Sequence, residues 1–305
     1  MTATQPVPTA GGPVDAMGDA AVPAESRVRG LLRGVWNDRN GRIGLVVVMV
    51  LTLLALGAVA GLGQHDALSQ RPDDRLQPPS GAYWGGTDQF GRDVLTRTLV
   101  GIATSLRVAV LAVAAASLVG SAVGIVAGYL GGWVDEVVGR VTDVLFAFPA
   151  ILLALSVVSA LGAGWSTTAL AIAVVYTPIF VRVARGPTLS VAAAEYVNAG
   201  RVLGLSTWRL VTRHVIPNVS APIVVQVALA LSWAILTESA LSFLGLGTQP
   251  PQPSLGAMVS DARNLLEVAW WTMAVPAVAI VVVVIGLNLL GDGLRAAMDP
   301  RTAER

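Results

Sequence analysis

The chain has 305 residues, 54% of them hydrophobic and 13% charged, with a mean hydropathy of +0.68, which excludes an ordinary soluble domain and indicates a polytopic membrane protein. The formal net charge of +1 gives no electrostatic case for nucleic-acid binding, and the lack of cysteine excludes disulfides and thiolate chemistry. All 20 basic residues are arginine, so the chain can build neither a Walker A loop, which needs a lysine at the nucleotide phosphates, nor a Schiff base.

Residues 1 to about 26 are rich in Pro, Ala, Gly and Thr without periodicity and predict a disordered tail. Arg27, Arg29, Arg33, Arg39 and Arg42 follow, so residues 1–42 read as a tail held in the cytoplasm by its arginines. The apolar run 43–62 is the first transmembrane span: about 20 residues make a helix of roughly 30 Å, enough to cross the hydrocarbon layer. Ala58 and Ala60 leave open a cleaved signal as the competing reading, for which the leader is unusually long.

Residues 63–105 are polar and expected outside. Within them Thr87 or Asp88 is expected to cap a short amphipathic helix on which Asp88, Arg92, Asp93 and Arg97 form a salt-bridged face. The second span is 106–130. Ala112, Ala116, Gly120, Gly124 and Gly128 recur every four residues along it, a small-residue stripe for close helix packing, against either this chain or another. Arg140 is spaced to pair with Glu136 or Asp143 ahead of a third span ending near Leu161, which Pro149 is expected to kink. The fourth span runs from Trp165 to about Ala184.

A polar interruption, 185–218, separates the fourth and fifth spans. Ala192 to Leu203 predict a helix, Gly204 suits a left-handed C-terminal cap, Ser206 is placed to cap a second helix through His214, and Pro217 is expected to stop it. Tyr196, Gly200 and Leu203 share one helical face, with Val197 and Gly204 beside them, and that face is expected to meet another surface.

The fifth span, Val219 to about Leu241, carries Glu238. Its position, roughly 28 Å along the helix, puts it near the far interface, where hydration makes a carboxylate inexpensive; it reads as a structural or gate-lining acid. Trp270 and Trp271 anchor the last span, which runs to about Leu290, and 291–305 form a second cytoplasmic tail. Residues 106–290 are thus a five-helix unit in an all-α membrane protein of six transmembrane helices, with most arginines on the side that carries the 185–218 loop. Two distant histidines, His65 and His214, predict no metal site.

Asn198-Ala199-Gly200, Gly204 and the Ile216-Pro217 pair resemble the acidic-Ala-Ala loop of permease subunits in binding-protein-dependent ABC importers, with Asn198 where an acid is usual and Gly200 where Ala is usual. Gly86-Thr87-Asp88 through Thr96-Arg97, and Glu238 through Gly247 with Pro250-Pro251 and Pro253 to Gly256, resemble the peptide and nickel branch of that family. Leu255 stands where Trp is common there, and the segments 291–295 and 299–301 resemble the way this branch closes.

The resemblance implies a type I ABC importer permease fold, most similar to the C-type subunits for dipeptides and oligopeptides. It places Glu195, Tyr196, Val197, Asn198, Ala199, Gly200, Leu203, Gly204 and Leu205, with His214 and Pro217, in a cytoplasmic coupling element that docks on an ATPase. Asp88, Arg92, Asp93 and Glu238 fall at an external gate or loop. The implied partners are a second homologous permease, two ABC ATPases that bind the ATP and magnesium, and an external substrate-binding lipoprotein; this chain itself would hold no cofactor, metal or catalytic residue. Peptides are the expected cargo, with nickel, glutathione or opine-like solutes as alternatives. An ion-driven secondary transporter would show broken helices and midplane acids in paired halves, and an intramembrane enzyme would show a nucleophile and base; neither pattern is visible.

Overall fold

The computed structural model describes residues 30, 33–63 and 65–298. The expected N-terminal tail, with Arg27 and Arg29, and the closing residues from Asp299 lie outside them. Ten α-helices between Arg39 and Met298 dominate the described residues, among which there is no strand beyond an isolated antiparallel bridge between Thr87 and Asp93.

Helix α1 (Arg39–Val59) starts before the apolar run at Ile43, because the Asp38 carboxylate caps it, accepting from the Gly41 N–H at 2.7 Å. Gly44 lies against the final helix, α10 (Trp271–Met298): a Cβ there would sit 2.3 Å from the Leu290 nitrogen, so the two helices touch backbone to backbone.

The amphipathic helix expected at Thr87 does not form. Asp88 instead accepts from the backbone N–H of Phe90 (2.8 Å) and Arg92 (3.0 Å), and Gly91 takes φ +71°. This local turn satisfies the groups that a helix would have used. The cap is Asp93, which accepts from the Thr96 N–H at 3.0 Å, and α2 (Val94–Leu130) begins there. Its 37 residues make a helix of roughly 55 Å, so its first turns project beyond the apolar layer.

The small-residue stripe of α2 packs on α5 (Trp165–Ala192) of the same chain. A Cβ on Gly120, Gly124 or Gly128 would lie 2.6, 2.4 or 2.9 Å from the carbonyl oxygens of Thr177, Val181 and Arg185. Both series ascend together, so α2 and α5 are parallel, and α3 (Gly132–Phe146) with α4 (Ala150–Leu161) makes the return. Pro149 does more than kink that return: α3 and α4 meet at 90°. Pro149 has no N–H to continue α3, whose end is closed by the Ala147 N–H on the Asp143 carbonyl, and it caps α4 instead.

Helix α5 continues through Pro178 and Pro187 to Ala192, past the expected end at Ala184. Two short helices follow, α6 (Glu195–Val202) and α7 (Thr207–Leu210). The stop expected at Pro217 is absent. A π-helical turn, Val211–Val215, carries α7 directly into α8 (Ile216–Phe243), and Pro217 sits in the first turn of α8, where a missing N–H is tolerated. Ser254 caps α9 (Leu255–Ala262), accepting from the Ala257 N–H at 3.3 Å.

Five helical stretches are long and apolar enough to cross a membrane, and the bent pair α3–α4 makes a sixth. The fully buried Ile172, Phe180, Ile235, Leu241 and Leu255 lie in the core that joins α2, α5, α8 and α9. One end of the bundle carries the start of α1, the Leu130 end of α2 and the α6–α7 pair; the other carries residues 63–93 and α9.

Candidate functional site

The α6–α7 pair is built around a turn that its sequence dictates. Gly204 takes φ +77°, and the Leu205 N–H reaches back to the Gly200 carbonyl at 3.0 Å, closing α6. Ser206 then starts α7, its hydroxyl accepting from the Arg209 N–H at 3.4 Å. Inside the pair, Val197 is fully buried, and Gly200 leaves room for Leu210 and Leu205, whose methyl carbons would lie 2.8 and 3.2 Å from an added Cβ.

The expected grouping of Tyr196, Gly200 and Leu203 on one docking face is therefore wrong. Val197 and Gly200 face inward, whereas Tyr196 is 51% exposed and Leu203 81%. The helix is only eight residues long and packs down on α7, so the buried side is set by Leu210 rather than by the stripe of small residues. Glu195, Asn198, Ala199 and Gly204 are exposed, Leu205 is half-buried and Pro217 is exposed. With Val202 at 88% and Trp208 at 77% exposed, the pair carries several bare apolar side chains around its turn, the composition of a protein docking surface.

The pair is fixed to the bundle at several points. Val215 and Val219 are fully buried with Ile125 of α2 and Ala184 of α5. Arg201 lies 4.9 Å over the ring of Tyr129, near the end of α2. Asn218 donates to the His214 carbonyl at 2.6 Å and to the Tyr196 hydroxyl at 3.3 Å, and the Tyr196 and His214 rings lie 6.1 Å apart. Beside this end, Arg185 holds Asp135 through two hydrogen bonds and Arg182 donates to Asp143 at 2.8 Å, tying α5 to α3. Arg140 pairs with Glu136 at 2.5 Å.

At the opposite end, Asp88 pairs with the Arg92 Nε at 2.6 Å and lies 3.7 Å from Arg97. Asp93 is buried beside His65, whose Nδ1 is 2.9 Å away, and Arg97 is buried with one N–H on the Ala67 carbonyl. The Trp271 Nε1 donates to the Thr87 carbonyl at 3.1 Å, which seats this segment on α10. A cleft of about 350 Å³ opens here, lined by Phe90, Arg92, Arg97, Pro251, Gln252 and Asp261. Burial pushes the Asp261 carboxyl above its ordinary range, against the pull of Arg92 and Arg97.

Glu238 does not join that group. It is fully buried in α8 and not hydrated as expected; its Oε1 accepts from Ser242 at 2.7 Å, and its Oε2 has no partner among the described residues. Helix α9 packs beside it: a Cβ on Gly256 would lie 2.0 Å from the carbonyl of the adjacent Ser239, so α9 rests on the backbone of α8.

Residues 120–304 match the family described as the binding-protein-dependent transport system inner membrane component. The chain belongs to that family. The dipeptide transport system permease protein of Alkalihalophilus pseudofirmus is 41% identical over 85% of this chain and 85% of its own length. The glutathione transport system permease protein of Pectobacterium atrosepticum is 39% identical, over 91% and 93%. The probable D,D-dipeptide transport system permease protein of Escherichia coli is 40% identical, over 84% and 86%.

For a permease of this family, the sequence reading missed three parts of the α6–α7 surface. Val202 and Trp208 were legible as large apolar residues in the loop between two spans. Asn218 was not, because its role depends on Tyr196 and His214 being brought together by the turn at Gly204.

Proposed function

We propose that this inner-membrane permease is one of two homologous transmembrane subunits of an ATP-driven importer of dipeptides and oligopeptides. The bare apolar tip of α6–α7 carries the reading, since a surface of this kind on a rigid mount is what an ATPase groove would take. Tyr196, Val202, Leu203 and Trp208 make the contact, while Val197, Gly200, Gly204 and Leu205 shape it. His214, Asn218 and Pro217 join it to α8, so that ATPase closure moves α8 and α5 together and alternates access to the path. In this arrangement the N- and C-termini and α6–α7 are cytoplasmic, and the cleft at Arg92 and Asp261 faces an external substrate-binding lipoprotein. Nucleotide and magnesium belong to two ABC ATPase partners, and this chain supplies no catalytic residue.

Peptide cargo follows from relatives whose names specify dipeptides. Glutathione, itself a small peptide, is the second reading, favoured by two relatives of similar identity. The test is affinity purification of the tagged chain in mild detergent, followed by ATPase assays with the co-purifying subunits. The expected result is recovery of one or two ATPases and a second permease, with hydrolysis stimulated by a dipeptide-loaded binding protein. Recovery of this chain alone at every detergent strength would refute the reading.

A further inference from the structure

A groove of about 840 Å³ lies between the last turn of α1 and the outer side of α2. Its floor is formed by Val100, Ala103, Thr104 and Arg107, which at i, i+3, i+4 and i+7 share one face of α2. Leu56 and Val59 of α1 supply an apolar wall. The polar mouth holds few charges: His65 is paired with Asp93, and Asp66, exposed and without an ion pair among the described residues, accepts from the Leu68 N–H at 2.9 Å.

Arg107 is the arginine of this lining. It is exposed, forms no ion pair among the described residues, and stacks its guanidinium 4.2 Å over the ring of Trp165. Trp165 opens α5 and Val59 closes α1, so this cation stands at the level where the apolar spans end. A guanidinium held by an aromatic ring above an apolar groove between two membrane helices matches one ligand chemistry, a phosphodiester attached to acyl chains.

We propose that the α1–α2 groove is a glycerophospholipid site, with the lipid phosphate on Arg107 and an acyl chain along Leu56, Val59, Val100 and Ala103. The arginine supplies charge and a bidentate donor pair; the groove supplies the fit that distinguishes a bound lipid from the surrounding bilayer.

The experiment is native mass spectrometry of the full chain with its co-purifying subunits, delipidated and titrated with phosphatidylglycerol, diacylglycerol or inorganic phosphate. One phosphatidylglycerol is expected to be retained per chain, at least about tenfold more tightly than diacylglycerol, and inorganic phosphate at matched concentration is not expected to displace it. Arg107→Gln should weaken retention about tenfold, and Arg107→Lys, which keeps the charge but loses the stacked, bidentate fork, should weaken it by a smaller factor. Ala103→Trp, which fills the groove and leaves the arginine, should lose it as well, and carries the test if Arg107→Gln fails to fold. The proposal is overturned if these variants retain lipid like the wild type, or if inorganic phosphate displaces it completely, marking a free-anion site. It is also overturned if Thr104→Cys cross-links to a second permease, marking a protein-covered groove.

Discussion

Replacing Gly124 by Ala adds one methyl group at the tightest point of the α2–α5 seam. The new Cβ would lie 2.4 Å from the Val181 carbonyl oxygen and 3.1 Å from both the Ala184 Cβ and the Arg185 nitrogen. Carbon and carbonyl oxygen approach no closer than about 3.3 Å in even favourable contacts, so the helices must part locally by roughly 1 Å. A gap of that size forfeits about a quarter to a half of the dispersion energy of the atoms that line it. Overpacking of a core costs about 1–3 kcal/mol, and the upper half of that range applies here because the obstacle is backbone, which no rotamer change can move. Helix propensity returns about 1 kcal/mol, leaving a net loss of about 1–2 kcal/mol. The control is Gly139→Ala in α3, where nothing lies within 4 Å of the added Cβ. That variant should gain about 0.5–1 kcal/mol from propensity alone. Thermal unfolding of both variants in one detergent should therefore shift in opposite directions. If Gly124→Ala is as stable as the wild type, the parallel backbone contact between α2 and α5 is not as described.

Gly204→Ala must hold a φ of +77° with a side chain, at a cost of about 1–2 kcal/mol, and should raise amide exchange in α6 and α7 while Gly204→Asn is better tolerated. Asp93→Ala removes the cap of α2 and the partner of His65 and should lower stability by about 0.5–2 kcal/mol; Asp93→Asn, which can still cap, should recover most of this in the same melts. Glu238→Leu strands the Ser242 hydroxyl in the interior and should cost about 1–3 kcal/mol, whereas Glu238→Gln can accept the same bond and should lie close to wild type; equal losses from both would contradict a purely structural role.

The six spans were legible because a span is a one-dimensional property, an apolar run of sufficient length bounded by charge or tryptophan. The stripe from Ala112 to Gly128 and the caps at Gly204 and Ser206 were legible for a related reason, since each states its own local requirement. What the sequence hid was set by neighbours distant in the chain. Asp88 carries the mark of a helix cap, yet Gly91 and the backbone N–H groups of Phe90 and Arg92 turn it into a loop anchor, and Asp93 takes the cap. The depth of Glu238 along α8 follows from counting residues, but its dryness follows from the packing of α8 among neighbours distant in the chain, α9 included. Helical spacing placed Tyr196, Gly200 and Leu203 together; Leu210, in α7 beyond the turn at Gly204, decided which of them turned inward.

In the proposed mechanism an ATPase drives this permease through the α6–α7 surface. The chain contains no cysteine, so Leu203→Cys introduces a single thiol at the bare tip of that surface, and Val278→Cys introduces one on the exposed side of α10. Each variant, purified with its co-assembled subunits, is treated with a short bis-maleimide after engineered single-cysteine ATPases are supplied. An adduct with the ATPase from Leu203→Cys, increased by nucleotide and absent from Val278→Cys, is the predicted result. A complex that hydrolyses ATP under substrate control yet gives no adduct from Leu203→Cys with any ATPase cysteine would contradict the coupling role.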